Sequence, residues 1–368
     1  MNDKPKTGIR VLIITPTLQC GGSEKFVSLV CNHLNTNLFS ICLVVVNNAK
    51  PFYEITNKEI EIVDLKKTRV LFSLAAIKKT VNIFKPDIIF STANHLNLYL
   101  AIFKNQFNAS INFMAREASI VSINSGQAPM PALYGWLIKK YYNRFNLVIC
   151  QSDYMRQDLV NHFAIPDSKI MVIHNATPEV PEKTTGQNNK EDTGSFKFIT
   201  VARLSKEKGI ERLIQAVALL TIPFKYYIFG EGTERNRLQE LINGLHLQDK
   251  IILAGEKSNP YTGMQDADLF LMGSFYEGFP NVLLEAGANG IPVIAFNAPG
   301  GIAEIITENE NGLLVADNNI TAFAAAIQKT LALNFNRGTI IETTKKRFSV
   351  NNMMTAMENI FLKLAQNK

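Results

Sequence analysis

The chain alternates short apolar runs with longer amphipathic segments, and the alternation falls into two series. The first series has runs at 9–15, 41–46, 60–65, 87–91, 111–114, 147–150 and 170–173, and the second at 198–202, 226–229, 251–254, 269–272, 293–296 and 313–315. Short, nearly continuous apolar runs with helix-length segments between them are typical of parallel sheets that are buried on both faces. The pattern therefore predicts two α/β domains with doubly wound sheets.

A polar stretch from Thr177 to Gly194 separates the two series. Its content of Pro, Gly, Asn and charged residues indicates an exposed connection. We predict an N-terminal domain at 1–178, a linker at 179–195, a second domain at 196–347 and a C-terminal helix within 348–368. That helix is amphipathic, and packing against the first domain is an option that the sequence leaves open. Two such domains are expected to place a ligand cleft between them, at the carboxyl ends of their strands.

Composition narrows the class of protein. The chain has 368 residues and four cysteines without C-x-x-C spacing, so neither a zinc site nor a disulfide framework is indicated. It contains no run of about 18 apolar residues and no N-terminal signal-peptide pattern, which favours a cytoplasmic location. Residues 1–180 carry 19 Lys and Arg against 12 Asp and Glu, whereas residues 181–368 carry 19 against 20. The basic first half indicates an anionic partner, such as a phosphate or lipid headgroups.

The most specific chemical signal lies between residues 277 and 295. It reads Glu277-Gly-Phe-Pro-Asn-Val-Leu-Leu-Glu285 and leads into an apolar run. Pro280 suits the first position of a helix, and the amides of the turn that follows attract anions. Carboxylates on both sides of such a turn suit the hydroxyl groups of a sugar that bears a diphosphate. An ordinary loop with solvated glutamates is the alternative for this segment alone.

Three further loops follow runs of the second series. Arg203 and Lys208 come after the run 198–202, and their cationic groups suit a pyrophosphate. Gly230 follows the run 226–229 and permits either close approach of a ligand or a plain tight turn. Lys257 lies after the run 251–254, where the backbone can face a nucleobase. Each loop taken singly is also compatible with an ordinary surface loop.

Taken in order, these motifs resemble the retaining GT-B glycosyltransferases of family 4, the type that builds bacterial lipopolysaccharide, capsule and lipid-linked oligosaccharides. The match covers nearly the whole chain, and its most specific wording is E-G-F-P-N-V-L-L-E-A. The resemblance implies a GT-B fold, with two Rossmann-like parallel-sheet domains facing across a cleft. It implies that Arg203 and Lys208 hold the donor diphosphate, that Glu277 binds sugar hydroxyls, that Glu285 binds the ribose and that Lys257 faces the base. The backbone implied to lie near the phosphates is that of Phe279, Pro280, Asn281 and Val282.

The first half carries weaker parts of the same resemblance. Gly21-Gly22 after the first run is not G-x-G-x-x-G, which removes the main support for a dinucleotide-binding oxidoreductase. The pair instead resembles the family's G-G-x-E loop at the donor phosphates and the acceptor. His95 is the implied functional histidine, although the more common His-x-His wording is absent. Arg116 and Glu117 resemble the acceptor-side loop of the family, and a structural role is the alternative for both them and His95.

The implied activity is transfer of a hexose or N-acetylhexosamine, expected from a UDP-linked donor, to a lipid-linked or saccharide acceptor with retention of configuration. Glu277, Arg203, Lys208 and His95 are the implied catalytic group. The alternatives are a nucleotide-sugar epimerase or hydrolase of the same fold, or a non-catalytic subunit that binds nucleotide sugars. No cofactor is expected, and no metal, because Arg203, Lys208 and helix amides can offset the diphosphate charge. The D-x-D pattern at Asp266 and Asp268 precedes a buried run, where aspartate is expected to orient the strand entry.

Two segments of the basic half suggest contact with a membrane. Residues 132–145 combine aromatic side chains with Lys139, Lys140 and Arg144, and such a helix can lie on anionic lipid. A second amphipathic segment is flanked by lysines and an arginine between residues 66 and 79. Reversible attachment to the inner face of the cytoplasmic membrane is therefore expected, and packing helices with solvated lysines are the alternative. Nucleic-acid binding is not expected, because no base-reading module is visible.

Overall fold

The computed structural model describes residues 8–177, 194–256, 264, 266–333 and 335–366. Contacts divide the chain into two compact units. The first unit comprises Met1–Asn175 and Val350–Lys368, and the second comprises Ala176–Ser349. Each unit holds one sheet in which all paired strands run parallel. The predicted pair of Rossmann-like parallel-sheet domains is thereby confirmed.

The first unit is built from seven described strands and the helices between them. Its strands are β1 (Ile9–Thr15), β2 (Phe39–Val45), β3 (Glu61–Asp64), β4 (Ile88–Thr92), β5 (Asn112–Arg116), β6 (Leu147–Cys150) and β7 (Ile170–Val172). Its α-helices are α1 (Gly22–His33), α2 (Leu74–Phe84), α3 (Asn94–Phe103), α4 (Val121–Gly126), α5 (Pro131–Tyr141) and α6 (Asp153–Phe163), and the C-terminal helix, given below, joins them. Short 3-10 turns lie at Val70–Phe72, Lys104–Gln106, Tyr142–Arg144 and Asp167–Lys169.

The strand order in this sheet is β3-β2-β1-β4-β5-β6-β7. From β1 the chain adds β2 and β3 on one side of the sheet. It then crosses back and adds β4 to β7 on the other side, so the strand order reverses between β1 and β4. Parallel crossovers are right-handed, so α1 lies on one face of the sheet and α2, α3, α5 and α6 lie on the other. In open α/β sheets, the carboxyl ends of the strands at such a reversal are where ligands bind.

In the second unit the strands are β8 (Phe196–Val201), β9 (Phe224–Phe229), β10 (Ile251–Gly255), β11 (Leu269–Met272), β12 (Val293–Phe296) and β13 (Gly312–Val315). The described helices are α7 (Ile210–Ala218), α8 (Arg235–Gly244), α9 (Asn281–Ala288), α10 (Ile302–Ile305), α11 (Ile320–Ala332) and α12 (Arg337–Arg347), and a 3-10 turn lies at Lys206–Lys208. The strand order is β10-β9-β8-β11-β12-β13, which reverses between β8 and β11.

The last helix, α13 (Val350–Gln366), belongs to the first unit. Phe361 packs edge-on against Phe39 and Phe90, with ring centroids 5.7 and 6.1 Å away. Asn112 Nδ2 donates to the carbonyl of Leu364 at 2.8 Å. The helix therefore covers the sheet face that also carries α1, using the apolar stripe visible in its sequence.

Every predicted apolar run corresponds to a strand, and four strands have the predicted bounds: β1, β6, β11 and β12. The others differ by one or two residues at their ends. β2 begins at Phe39 rather than 41. The polar Ser40 interrupted the apolar pattern in the sequence, but in the structure it is buried and belongs to the strand. Strand ends depend on backbone pairing with neighbours, as in the pairing of Phe39 with Ile9, which no local pattern specifies.

Candidate active site

In the second unit, three of the four implied catalytic residues follow the two strands between which the strand order reverses. Arg203 and Lys208 follow β8, and Glu277 follows β11, which is paired directly with β8. The carboxyl ends of adjacent parallel strands lie at one edge, so residues about 70 positions apart become neighbours. Arg203 is exposed and, within the described ranges, forms no salt bridge.

Lys208 and Glu277 form the central ion pair of this site. Lys208 Nζ donates to Glu277 Oε1 at 2.6 Å, and the side chains keep 21% and 13% of their surface exposed. The hydroxyl of buried Ser274 donates to the same oxygen at 2.6 Å. Glu277 Oε2 has no hydrogen-bond partner among the described residues. A half-buried carboxylate with one oxygen fixed and the other available can accept a hydroxyl group of a bound sugar.

Close backbone contact brings the two loops together. A Cβ at Gly209, whose φ is 56°, would collide with the carbonyl oxygen of Gly273, and a Cβ at Gly273 would lie 2.5 Å from the carbonyl oxygen of Gly209. The amide of Phe275 also donates to the carbonyl of Glu207 at 2.9 Å. Glycine at both positions therefore allows the loop after β8 to touch the loop after β11.

Arg212 fixes this junction from the interior. Its Nε donates to Gly273 O at 2.6 Å, and its Nη2 to Ser274 O at 2.5 Å. Its Nη1 pairs with Asp317 Oδ1 at 2.6 Å, although only 5% of the arginine side chain is exposed. Burial lowers the pKa of Arg212, and the bond to Asp317 opposes that shift. One buried cation thus holds the backbone on which Ser274 and Glu277 are mounted.

The helix that opens the paired-glutamate segment begins one residue later than predicted. α9 starts at Asn281, and Pro280 is its N-cap residue with an extended ψ of 109°. The prediction of Pro280 as the first helical residue is therefore wrong. The amide of Leu283 donates to the Pro280 carbonyl at 3.1 Å, so this amide is already used. Glu285 lies in α9 and is buried.

The other donor-side residues have packing roles in the second unit. Phe279 is buried, with its ring 5.6 Å from that of Phe348. Val282 is half-buried against the same apolar cluster. Gly230 has φ 139°, and a Cβ there would collide with the carbonyl oxygen of Ala202, so its close approach is to the loop of Arg203. Lys257 lies outside the described residues.

In the first unit, the reversal point carries the Gly21-Gly22 loop after β1 and His95 after β4. A Cβ at Gly21 would collide with Glu24 Oε2, and Thr17 Oγ1 donates to Glu24 Oε1 at 3.2 Å. The carboxylate of Glu24 therefore folds over Gly21. His95 is exposed as a residue, yet partial desolvation of its ring lowers its pKa, and Glu24 opposes the shift. The β1 and β4 loops thus bring a carboxylate and an imidazole within electrostatic reach.

Arg116 and Glu117 lie in the interior of the first unit, with no exposed surface. Arg116 Nη2 donates to Asn175 Oδ1 at 2.6 Å, and its guanidinium lies 3.9 Å from the Phe26 ring centroid. Burial raises the pKa of Glu117 to about 7, although hydrogen bonds from Asn97 and others oppose the rise. Direct contact of either side chain with an acceptor would require this unit to open.

The D-x-D pattern lies at the opposite edge of the second sheet from Glu277. Asp268 Oδ2 accepts the amide of Lys197, at the start of β8, at 2.8 Å. It therefore ties the amino ends of β8 and β11 together. Among the described residues, no cluster of three or more His, Cys, Asp or Glu side chains has the arrangement of a metal site. In the same part of the chain, no helix combines the length and apolarity needed to cross a bilayer.

Sequence reasoning missed Ser274, Arg212 and Asn97. The available signal for Arg212 was a charged residue on the apolar face of α7, next to buried Leu213 and Ile214. Asn97 similarly interrupts the apolar face of α3 between Leu96 and Leu98. A polar residue on a buried helix face needs partners, but the sequence does not identify them.

The two Rossmann-like units define the GT-B fold. The chain aligns with sucrose-phosphate synthase from Thermosynechococcus elongatus at a TM-score of 0.81 and 17% identity, covering 98% of this chain and 100% of that one. It aligns with the Anabaena protein HepE in complex with UDP-glucose at a TM-score of 0.78 and 18% identity, covering 96% and 100%.

Sequence comparison gives the family. The model described as Glycosyltransferase Family 4 matches residues 20–178, and the model described as Glycosyl transferases group 1 matches residues 182–347. The chain is 30% identical over 315 residues to the N-acetylgalactosamine-N,N'-diacetylbacillosaminyl-diphospho-undecaprenol 4-alpha-N-acetylgalactosaminyltransferase of Campylobacter jejuni, covering 82% of this chain and 85% of that protein. It is 24% identical to the amylovoran biosynthesis glycosyltransferase AmsD of Erwinia amylovora, covering 88% and 90%. The chain belongs to the family 4 glycosyltransferases and is a glycosyltransferase.

Proposed function

We propose that this chain is a retaining glycosyltransferase that moves a hexose or N-acetylhexosamine from a UDP-linked donor to a lipid-linked or saccharide acceptor. The observation that carries the proposal is the Lys208–Glu277 ion pair at the strand reversal of the second unit, with exposed Arg203 in the same segment after β8 as Lys208. Two comparisons support the finer assignment. The Campylobacter relative is named for an undecaprenyl diphosphate-linked acceptor, and HepE was solved with UDP-glucose.

The proposed chemistry follows from the charges at this edge. The bond between the anomeric carbon and the diphosphate oxygen breaks, and the acceptor hydroxyl oxygen forms the new bond on the same face of the sugar. The acceptor proton passes to the departing phosphate. Arg203 and Lys208 stabilise the negative charge that develops on the diphosphate, which is the largest electrostatic requirement of the step. Two cations at one strand edge support a reaction that proceeds without a metal ion.

The carboxylates are proposed to bind hydroxyl groups. Glu277 accepts from the donor sugar through Oε2, while Lys208 and Ser274 hold Oε1. Glu285, buried in the first turns of α9, accepts from the ribose. In the first unit, the Gly21-Gly22 loop and His95 contribute to donor and acceptor binding.

Nucleotide-sugar binding is the first test. We expect UDP-glucose, UDP-N-acetylglucosamine or UDP-N-acetylgalactosamine to raise the melting temperature of the protein, with GDP-mannose and ADP-glucose as matched probes of base preference. UDP release should then require a lipid extract that contains polyprenyl diphosphate-linked saccharides. Release that is equally fast without acceptor would instead favour a hydrolase, and conversion of the UDP-sugar to its epimer without net release of UDP would favour an epimerase. Binding with neither release nor epimerisation would favour a non-catalytic subunit, and no thermal shift with any of the five would contradict the proposal.

A surface of the first unit supports reversible membrane contact as part of this function. We call it the apolar–basic face, and it comprises Leu71, Phe72, Met130, Leu133 and Trp136 together with Lys139 and Lys140. The five apolar residues are 65%, 59%, 63%, 44% and 51% exposed, and both lysines are exposed. The face has one part at residues 71–72 and another at residues 130–140, and helix α3 joins them. The Tyr99 hydroxyl of α3 donates to Leu71 O at 2.9 Å, and α3 packs on α5. Arg144, by contrast, donates to carbonyls of α3 and is not part of this face.

Vesicle cosedimentation tests the apolar–basic face. We expect the protein to sediment with vesicles rich in phosphatidylglycerol and not with pure phosphatidylcholine, and added salt should weaken binding. Trp136→Ser combined with Lys140→Glu should abolish cosedimentation. Leu219→Ser removes a similarly exposed apolar side chain from the second unit and serves as the control. Equal loss with both variants would contradict the assignment of this face.

A further inference from the structure

The loop that carries His95 contains a strained backbone conformation at Ala93. Ala93 lies between β4 and α3 with φ 78° and ψ 128°. In this region the Cβ of an L-residue is crowded, so a residue other than glycine persists there only where its surroundings hold it. His95 follows two residues later, in the first turn of α3. Whatever holds Ala93 therefore also sets the direction of His95.

One anchor of this turn is Asn97, which is fully buried. Its backbone N–H donates to the Ala93 carbonyl at 2.9 Å, and its side-chain Oδ1 accepts from Ser91 Oγ at 2.7 Å. Its Nδ2 donates to Glu117 Oε1 at 2.7 Å and to Arg116 O at 2.9 Å. The side chain thus ties the start of α3 both to β4 and to the end of β5.

The second anchor is Asn94, the first residue of α3. Its Oδ1 lies 3.2 Å from the hydroxyls of Tyr134 and Tyr142. A hydroxyl has one hydrogen to donate, and the shorter contact of Tyr142 is with Glu117 Oε1, at 2.8 Å. The hydroxyl of Tyr134 therefore remains as the donor to Asn94 Oδ1, and of the two anchors Asn97 is the one that bonds the buried carboxylate of Glu117.

We propose that Asn97 and Glu117 are positioning residues that hold the strained Ala93 turn and thereby fix the imidazole of His95. The inference rests on the role proposed above for His95 and assigns it a supporting structure. If Asn97 is lost, Ala93 can relax toward an ordinary extended conformation, which rotates the first turn of α3. The ring then leaves its partly desolvated place beside Glu24, and its pKa returns toward the ordinary 6.5.

If Asn97 acts by restraining the strained backbone at Ala93, then relieving that strain should compensate for the loss of Asn97. A merely structural role for Asn97 does not predict such compensation. Asn97→Ala should raise the ring pKa of His95 and lower turnover about tenfold, because misplaced groups lose rate steeply. Ala93→Gly alone should leave both properties near wild type, because glycine accepts this backbone conformation without strain. In the double variant nothing drives the turn to relax, so both properties should return toward wild type.

The measurements are ring titration of 13C-labelled histidine by NMR and release of UDP from the three UDP-sugars named above. The chain has five histidines, and a His95→Gln spectrum assigns the resonance. Ala164→Gly is the matched control, because Ala164 also has a positive φ, of 53°, but ends α6 just before β7, at the opposite edge of the sheet. It should not rescue Asn97→Ala. If Asn97→Ala does not fold, Ser91→Ala removes one bond to Asn97 and should give a smaller shift in the same direction.

The titration decides the inference independently of activity. An unchanged ring pKa in folded Asn97→Ala, or in Ser91→Ala where that variant replaces it, would overturn the inference. The inference would also be overturned if Ala93→Gly did not restore the ring pKa of Asn97→Ala, or if Ala164→Gly restored it equally well. If the ring responds as expected while His95→Ala leaves UDP release unchanged, the positioning stands and the role of His95 in the proposed function fails.

Discussion

Both units place a carboxylate and a cation at the carboxyl edge of a parallel sheet, but the two sites differ in access to solvent. Glu277 and Lys208 keep 13% and 21% of their side-chain surface exposed and leave one carboxylate oxygen available. Glu117 and Arg116 have no exposed surface, and Glu117 is held by internal donors. The carboxylate beside the strand reversal of the second unit stays accessible to a ligand, whereas the one that follows β5, one strand beyond the reversal of the first unit, supports the interior.

The largest effect is expected at the half-buried carboxylate of Glu277. Glu277→Ala should lower UDP release from a UDP-sugar in the presence of acceptor by roughly 100-fold or more, because it removes an oriented group from the reacting sugar. Some stability is also lost, because Lys208 and Ser274 lose their partner, so turnover is compared at a temperature at which the variant is folded. Glu310→Ala, at an exposed position near the start of β13, is the control and should retain full turnover. If the turnover of Glu277→Ala were near that of wild type, Glu277 would have no greater role in the reaction than the buried Glu117.

Arg212 should affect stability most. Arg212→Met leaves Asp317 and two backbone carbonyls without their cation, which should lower the free energy of unfolding by ~3 kcal/mol. Urea unfolding measures this loss, and turnover should fall with it, because Ser274 and Glu277 lose their support. Arg237→Met is the matched control in the same unit, because Arg237 pairs with Glu211 and Glu234 at an exposed site. Equal losses of stability in the two variants would show that burial of Arg212 adds nothing.

Lys208 should affect donor binding. Lys208→Met keeps the stem of the side chain but removes its charge, so the dissociation constant for UDP should rise about tenfold, as expected for one charge-assisted hydrogen bond. Isothermal titration calorimetry measures the change. Lys206→Met, which alters an exposed lysine of the same 3-10 turn, should change the constant less. A larger rise in the dissociation constant with Lys206→Met than with Lys208→Met would indicate that the diphosphate binds away from Glu277.

The buried carboxylate should be visible through pH. The pKa of Glu117 is about 7 in the folded chain and near its ordinary 4.5 when unfolded, so the folded state binds the extra proton between these values. Its contribution to stability is complete below about 4.5 and is lost as pH rises through about 7. Glu117→Gln keeps an acceptor for Asn97 and should remove this decline, so its stability relative to wild type should increase from pH 4.5 to 7.

Urea midpoints across that pH range provide the measurement. Glu54→Gln, which changes an exposed carboxylate of the same unit, should give a curve parallel to wild type. Parallel curves for Glu117→Gln as well would mean that the interior carboxylate does not hold a proton in this range. The contrast between a buried and an exposed acid would then disappear.

Particular residues show how far the sequence reaches. The strand runs, the paired glutamates and the cations after β8 were all visible, because each depends on local composition or on wording spread over a few residues. Arg212 was not, because its partners lie 61 to 106 positions away and meet it only in the folded unit. The start of α9 was placed one residue early because the ψ of Pro280, unlike its φ, is set by contacts outside the ring.

The sequence by itself determined two buried parallel sheets, the carboxyl strand ends as the place for the chemistry and the resemblance to family 4 glycosyltransferases. Tertiary structure alone decided that Glu277 keeps part of its side chain exposed while Glu117 and Arg116 are enclosed, and that the side chain of Asn97 bonds Ser91 and Glu117 beside the turn at Ala93. The reason is physical. Hydrophobic periodicity and short sequence motifs are local properties, whereas desolvation and hydrogen-bond partners depend on which distant segments pack together.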